Sequence, residues 1–242
     1  MNFILEYSAM IPAIDQRILE GMNEFMHKSP AFDEMVAFLS YNSLCKGAVF
    51  TMVLWWRWFQ CRDTALGNGC RQVVLGVLAG CLLGIGVTRV LTHVFPERPR
   101  PLHNKELHLI AVEKDLLSDS ADTSSFPSDH ATVFFALSTG FFFLSRRLGI
   151  AATVYVIVFI CLPRLYLGLH YPTDLLAGAV VGVATALAAN LPAVRQIFYA
   201  PLVRWQYVHP SPFYVGLFLM SYQLDEMFGG VRHLLSFLAS RF

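Results

Sequence analysis

The sequence predicts an all-α fold: a polytopic membrane bundle of five to six transmembrane helices with interfacial amphipathic helices at the ends. Three observations carry this. Only 14% of the 242 residues are charged, against roughly 25% in an average soluble chain. Hydrophobic residues make up 55%, with twenty Phe, nine Tyr and four Trp, and the mean hydropathy is +0.51. A water-soluble core of this size would need more polar cover. Finally, the apolar residues gather into runs of the length that crosses a bilayer, about 20 residues.

The elements follow in order along the chain. Residues 14–35, IDQRILEGMNEFMHKSPAFDEM, place Ile, Leu, Met and Phe at helical spacing opposite charges, as an interfacial helix does. The opening MNFILEYSAM lacks a basic stretch, so no cleaved signal peptide is expected. Residues 36–59 form a first span whose early half is weakened by Asn42, Ser43 and Lys46 and whose end carries the WWRW cluster of an aromatic belt. Residues 72–94 give the clearest span, and 128–144, 148–167 and 173–190 give three more, with 210–224 a weaker sixth. The last segment, VRHLLSFLASRF, again reads as interfacial. Between the second and third spans lies one long polar loop, about residues 95–127. No soluble domain separates from this body, so one integral membrane domain is expected over 1–242, with its chemistry in 93–174.

Charge sets the orientation and limits the partners. The connections 60–71, 145–147 and 191–209 share one side and hold Arg62, Arg71, Arg146, Arg147, Arg195 and Arg204 against a single acid, Asp63. That side is expected to face the cytoplasm. Eighteen Lys and Arg against seventeen Asp and Glu leave a net charge of +1, too little to hold a polyanion, so no nucleic-acid partner is expected. The bilayer is the expected partner. Oligomeric state is not legible. Cys45, Cys61, Cys70, Cys81 and Cys161 are scattered without ligand or disulfide spacing and read as small buried hydrophobes.

Three polar constellations fall on the side opposite the arginine-rich connections. The first, His93-Val-Phe-Pro-Glu-Arg98-Pro-Arg100-Pro101, ends the second span. Its prolines stiffen the backbone and present two guanidinium groups at low entropic cost. In the second, Ser125-Phe-Pro127-Ser128-Asp129-His130 precedes an apolar run. Proline suits a first helical turn, so Ser125 or Phe126 is the expected cap, with the free amides of 128–130 facing an anion. The third is Arg164-Leu-Tyr-Leu-Gly-Leu-His170-Tyr-Pro172-Thr-Asp174. Its spacing of four predicts that the Asp174 carboxylate accepts one ring N–H of His170 and leaves the other nitrogen free to attack. Three arginines and two helix starts converging on two histidines point to phosphoryl transfer, in which one histidine attacks and the other donates a proton.

These motifs, in this order, resemble the tripartite signature of the type 2 phosphatidic acid phosphatase superfamily. The resemblance covers roughly residues 35–190, and among family members the chain looks most like the bacterial undecaprenyl diphosphate phosphatases. In the family's K-x6-R-P motif the arginine matches Arg100, while the lysine position falls on His93. That leaves His93, or Arg89 one turn earlier, to supply the missing cation. The P-S-G-H motif is here the P-S-D-H variant, with Ser128 implied to bind phosphate and His130 to act as general acid. In S-R-x5-H-x3-D, Pro163 replaces the serine. Arg164 is implied to hold phosphate oxygens, His170 to form a phosphohistidine and Asp174 to orient it. Arg98 joins Arg100 as an expected phosphate ligand. The resemblance implies no cofactor and no metal, a lipid phosphate or diphosphate substrate, and a site on the outer face of the bacterial cytoplasmic membrane. Rival substrates within this chemistry are phosphatidylglycerol phosphate, phosphatidic acid and the lipid A 1-phosphate. A transporter lined by intramembrane charges and a metalloprotease using His93, His130 and His170 are the readings from other classes.

Overall fold

The computed structural model describes residues 12–26, 28–61, 65–107, 109 and 124–225. The expected C-terminal interfacial helix and most of the long loop lie outside them. The described residues are all helical apart from connections: α1 (Ala13–Asn23), α2 (Pro30–Tyr41), α3 (Val49–Gln60), α4 (Ala65–Val94), α5 (Asp129–Phe142), α6 (Arg146–Tyr166), α7 (Pro172–Ala189), α8 (Ala200–Val208) and α9 (Pro210–Asp225).

Among the described residues, three helices are long and apolar enough to cross a membrane, Gly69–Val94, Arg146–Tyr166 and Pro172–Ala189, and α2 with α3 makes a fourth if the bent pair is one span. Helices also stand at the other two expected places, but α5 has 14 residues and α9 has 16. A helix of 14 residues rises only about 21 Å, less than a hydrocarbon core of about 30 Å. It can be short because it stands inside the bundle: Ala131, Thr132, Val133, Phe134, Ala136 and Leu137 are all buried, among α4, α6 and α7.

The span expected over 36–59 is broken. Its helix starts earlier, with Pro30 in the first turn, and α2 and α3 are bent by 69°. Asn42 explains the break, because its Oδ1 accepts from the backbone N–H of Leu44 at 2.9 Å and of Cys45 at 3.3 Å. An asparagine that offers its side chain to nearby amides competes with the helical ladder. A wide π-type turn over Leu44–Ala48 then leads into α3.

The cysteine expectation needs one correction. Cys81 and Cys161 are buried thiols and Cys45 is half-buried, but Cys61 and Cys70 are joined by a disulfide. Nine residues of separation carry no signature, and the bond joins the end of α3 to the early part of α4. Arg71 seals the same corner, donating to Tyr207 Oη at 2.6 Å and to the Cys61 carbonyl at 3.4 Å.

Close helix crossings bring α7 onto α5 at one end of the bundle. A Cβ on Gly182 would strike the Thr132 carbonyl, and one on Gly178 would meet the Ser128 carbonyl. Bare backbone on α7 therefore lets it lie directly on the first turns of α5, in the 3.6-residue rhythm that puts both glycines on one face. The loops around that crossing are stitched by backbone hydrogen bonds: Ser128 N to Asp174 O at 3.2 Å, Ser125 N to Arg98 O at 2.8 Å, and Leu102 N to Gly168 O at 3.0 Å. Gly168 ends α6 with φ of +65°, a left-handed conformation that glycine adopts at no steric cost.

Candidate active site

All three motifs meet at this one end of the bundle. Arg164 and His170 are buried and Arg100 is half-buried. The two guanidinium groups act on each other's charge and on both histidines. The Arg100 Nη1 donates to the Leu169 carbonyl at 3.1 Å, which fixes its stem on the turn that carries His170.

The His170 ring is held by an unexpected partner. Its Nδ1 lies 3.0 Å from the Ser125 carbonyl oxygen, an acceptor only, so Nδ1 carries the proton and Nε2 keeps its lone pair. Asp174 stands further off, with Oδ2 3.8 Å from Nδ1. The helical spacing rule fails here because α7 begins at Pro172, with Tyr171 as its cap. His170 lies before the helix, and the Asp174 carboxylate turns back to the helix start. Its Oδ2 accepts from the Tyr171 amide at 2.9 Å and from Ser125 Oγ at 2.5 Å. Asp174 thus anchors the segment whose carbonyl orients the imidazole. Burial pushes the His170 pKa below its ordinary value, opposed by the hydrogen-bonding influence of Asp174 and reinforced by the charges of Arg100 and Arg164. The neutral ring is favoured.

Arg98 also departs from expectation. Its guanidinium is turned to protein acids: Nη1 donates to Asp174 Oδ1 at 2.6 Å and to Thr173 Oγ1 at 2.8 Å, and Nη2 to Asp15 Oδ2 at 2.9 Å. Its plane covers the Tyr171 ring at 3.8 Å. Asp15 completes the clamp by accepting from Thr173 N at 3.1 Å and Thr173 Oγ1 at 2.5 Å. Sequence reading missed Asp15, Ser125 and Thr173 as parts of the site. Ser125 had a signal, its place beside Pro127. Asp15 had none, lying 158 positions before Thr173.

At the start of α5 the cap is Ser128 rather than Ser125 or Phe126. Ser128 is extended, with ψ of 115°, and its hydroxyl accepts from Ala131 N at 3.4 Å, while Pro127 stays outside the helix. The first-turn amides form the positive end of the helix dipole, where an anion is stabilised. Asp129 is ion-paired with Arg89 of α4. His93 is exposed on the last turn of α4. Among the described residues no group of three or more His, Cys, Asp or Glu could hold a metal ion, so His93, His130 and His170 do not form the donor set the metalloprotease reading requires.

The PAP2 superfamily matches residues 73–197. YbjG of Escherichia coli K12 is 30% identical over 137 residues, which are 56% of this chain and 65% of that protein. The undecaprenyl-diphosphatase BcrC of Bacillus subtilis 168 is 24% identical over 172 residues, 70% of this chain and 79% of its own. The crystal structure of Aquifex aeolicus LpxE superposes with a TM-score of 0.51 at 20% identity, over 74% of this chain and 95% of that one, a likeness of fold. With three motifs gathered at one end of a helical membrane body and a family match over more than half its length, the chain belongs to the PAP2 superfamily.

Proposed function

We propose that this protein is a phosphatase of the bacterial cytoplasmic membrane that removes the terminal phosphate of undecaprenyl diphosphate through a phosphohistidine, returning the lipid carrier to cell-wall synthesis. One observation carries the chemistry: the Nδ1–H of His170 is committed to the Ser125 carbonyl at 3.0 Å, which leaves Nε2 as the nucleophile. The substrate assignment is supported by the similarity to BcrC. The outward orientation of the site is supported by the excess of arginine over acids in 60–71, 145–147 and 191–209, the segments expected to face the cytoplasm.

In the first step the Nε2 lone pair attacks phosphorus and the bond to the leaving oxygen breaks, with its electron pair staying on that oxygen. His130 supplies the proton. In the second step His130 takes a proton from water, the oxygen of that water bonds to phosphorus, and the N–P bond breaks to return the pair to Nε2 and release inorganic phosphate. Arg100, Arg164 and the first-turn amides of α5 stabilise charge on the equatorial oxygens. The Ser128 hydroxyl accepts from Ala131 and keeps its own proton for a phosphate oxygen. Asp174 and Arg98 are positioning residues that hold the turn bearing His170. The arginines and helix dipole supply the positive field, so the reaction is proposed to need no cofactor or metal.

The test is phosphate release from undecaprenyl diphosphate by purified protein, alongside acid-quench trapping of an acid-labile phosphoprotein. His170→Ala should abolish both with the helical circular dichroism unchanged. Turnover near wild type in that variant would remove the mechanism.

A further inference from the structure

The phosphate-splitting centre accounts for Arg100, Arg164, Ser128 and both histidines, but not for a fourth cation beside it. Arg89 sits in α4, more than a turn before the end of the helix, and is ion-paired with Asp129, the residue that precedes His130. Its place is fixed from both sides. The neighbouring Thr88 Oγ1 and Thr132 Oγ1 are 3.1 Å apart across α4 and α5, and Gly84 lets Thr132 pack against the α4 backbone. The guanidinium Nε is buried and has no hydrogen-bond partner, while the side chain as a whole keeps 34% of its exposure. Around it, Leu83 and Val90 are 46% and 61% exposed, so this flank of α4 faces the lipid. An arginine on a lipid-facing flank of a span is expensive, and such residues are functional by default.

His130 defines what belongs at this spot. The oxygen it protonates is bonded on one side to the phosphorus under attack, and on the other side to the first atom of the leaving group. In a lipid monophosphate that atom is carbon. In a lipid diphosphate it is a second phosphorus carrying its own negative oxygens. A guanidinium held by the residue that precedes the general acid, on the lipid-facing side, complements only the second case. Its planar fork can keep one arm on Asp129 and offer the remaining N–H groups to two phosphate oxygens. Asp129 neutralises the guanidinium while no substrate is bound, which lowers the cost of keeping it in this place.

Resting on the phosphatase reading above, we propose that Arg89, oriented by Asp129, binds the phosphate that stays with the lipid and so selects lipid diphosphates over lipid monophosphates. When the P–O bond breaks, the electron pair goes to the bridging oxygen of the departing lipid monophosphate, His130 protonates it, and Arg89 holds that product's other oxygens.

The experiment compares kcat/KM of the full-length protein in mixed micelles for undecaprenyl diphosphate and for phosphatidic acid. In Arg89→Gln the diphosphate-to-monophosphate ratio should fall tenfold or more. Asp129→Asn, which keeps the arginine and loosens its anchor, should lower the ratio less. An equal loss on both substrates, or no change in the ratio, would overturn the proposal. Arg89→Lys keeps the charge without the fork, and its Ki for a prenyl methylenebisphosphonate should rise relative to its Ki for the matching prenyl monophosphonate. Equal shifts would overturn the proposal even if Arg89→Gln fails to fold. A wild-type protein that hydrolyses neither lipid would sink the phosphatase reading itself, and this one with it.

Discussion

Asp15→Ala is the perturbation that most directly examines how the catalytic turn is held. Asp15 is fully buried and accepts from Arg98, from the Thr173 hydroxyl and from the Thr173 amide. Truncation leaves a mostly covered guanidinium short of one acid and the Thr173 N–H without its acceptor. Breaking a buried pair by removing one partner costs about 3–5 kcal/mol. The low end applies, because Arg98 keeps Asp174 at 2.6 Å. At ~2–4 °C per kcal/mol for a chain of this size, the loss corresponds to a fall of about 6–12 °C in Tm. Thr173 adjoins Asp174, so the segment bearing His170 should loosen as well. Displacement of a reacting group by about 1 Å can cost a hundredfold, and kcat should therefore fall by about tenfold to a hundredfold. KM should move little, since Arg100 and Arg164 are untouched. Asp15→Asn retains an acceptor for the Thr173 amide and should recover part of kcat, which a purely structural role would not require. Thermal unfolding in detergent and steady-state kinetics on undecaprenyl diphosphate supply the readouts. A Tm within 2 °C of wild type together with an unchanged kcat would refute the clamp.

Two further outcomes follow. Because burial lowers the His170 pKa, protonation that would quench its lone pair occurs only below the ordinary histidine value of about 6.5. The acid limb of the kcat/KM profile should thus lie below that pH, and an acid limb centred above pH 7 would contradict the buried, neutral nucleophile. Gly182→Val puts a branched side chain against the Thr132 carbonyl and should destabilise by about 1–3 kcal/mol while lowering turnover, through separation of His130 from His170. A variant with wild-type Tm would show that α7 and α5 do not cross this closely.

Much of the site was legible because its chemistry is concentrated in contiguous motifs at span ends. Arg100, Ser128, His130, Arg164 and His170 needed only the alternation of spans to be placed on one side. What the sequence hid depends on contacts that no spacing rule describes. The link from Asp174 to His170 was misread because the four-residue rule assumes a shared helix, and His170 precedes the one that carries Asp174. Arg98 sits in the same stiff proline segment as Arg100, yet one turns to Asp174 and Asp15 and the other to Leu169. The choice between them is made by Asp15, far away in sequence. Asn42 was visible as a polar interruption of the first span, but a break of 69° appears only when its side chain is seen capturing two backbone amides. The Cys61–Cys70 bond is likewise a product of tertiary approach.

The bend between α2 and α3 has a topographic consequence. Two rods inclined by 69° cannot both follow the bilayer normal, so when α3 stands upright α2 reclines near the headgroups. Tyr166, just before the catalytic turn, donates its hydroxyl hydrogen to Asp33 of that reclining helix, and Phe32, Met35 and Phe38 on α2 remain uncovered. On the proposed phosphatase function, the candidate site then opens at the level of that reclining helix, so a lipid tail can stay among its neighbours while only the polar head is drawn sideways into the protein.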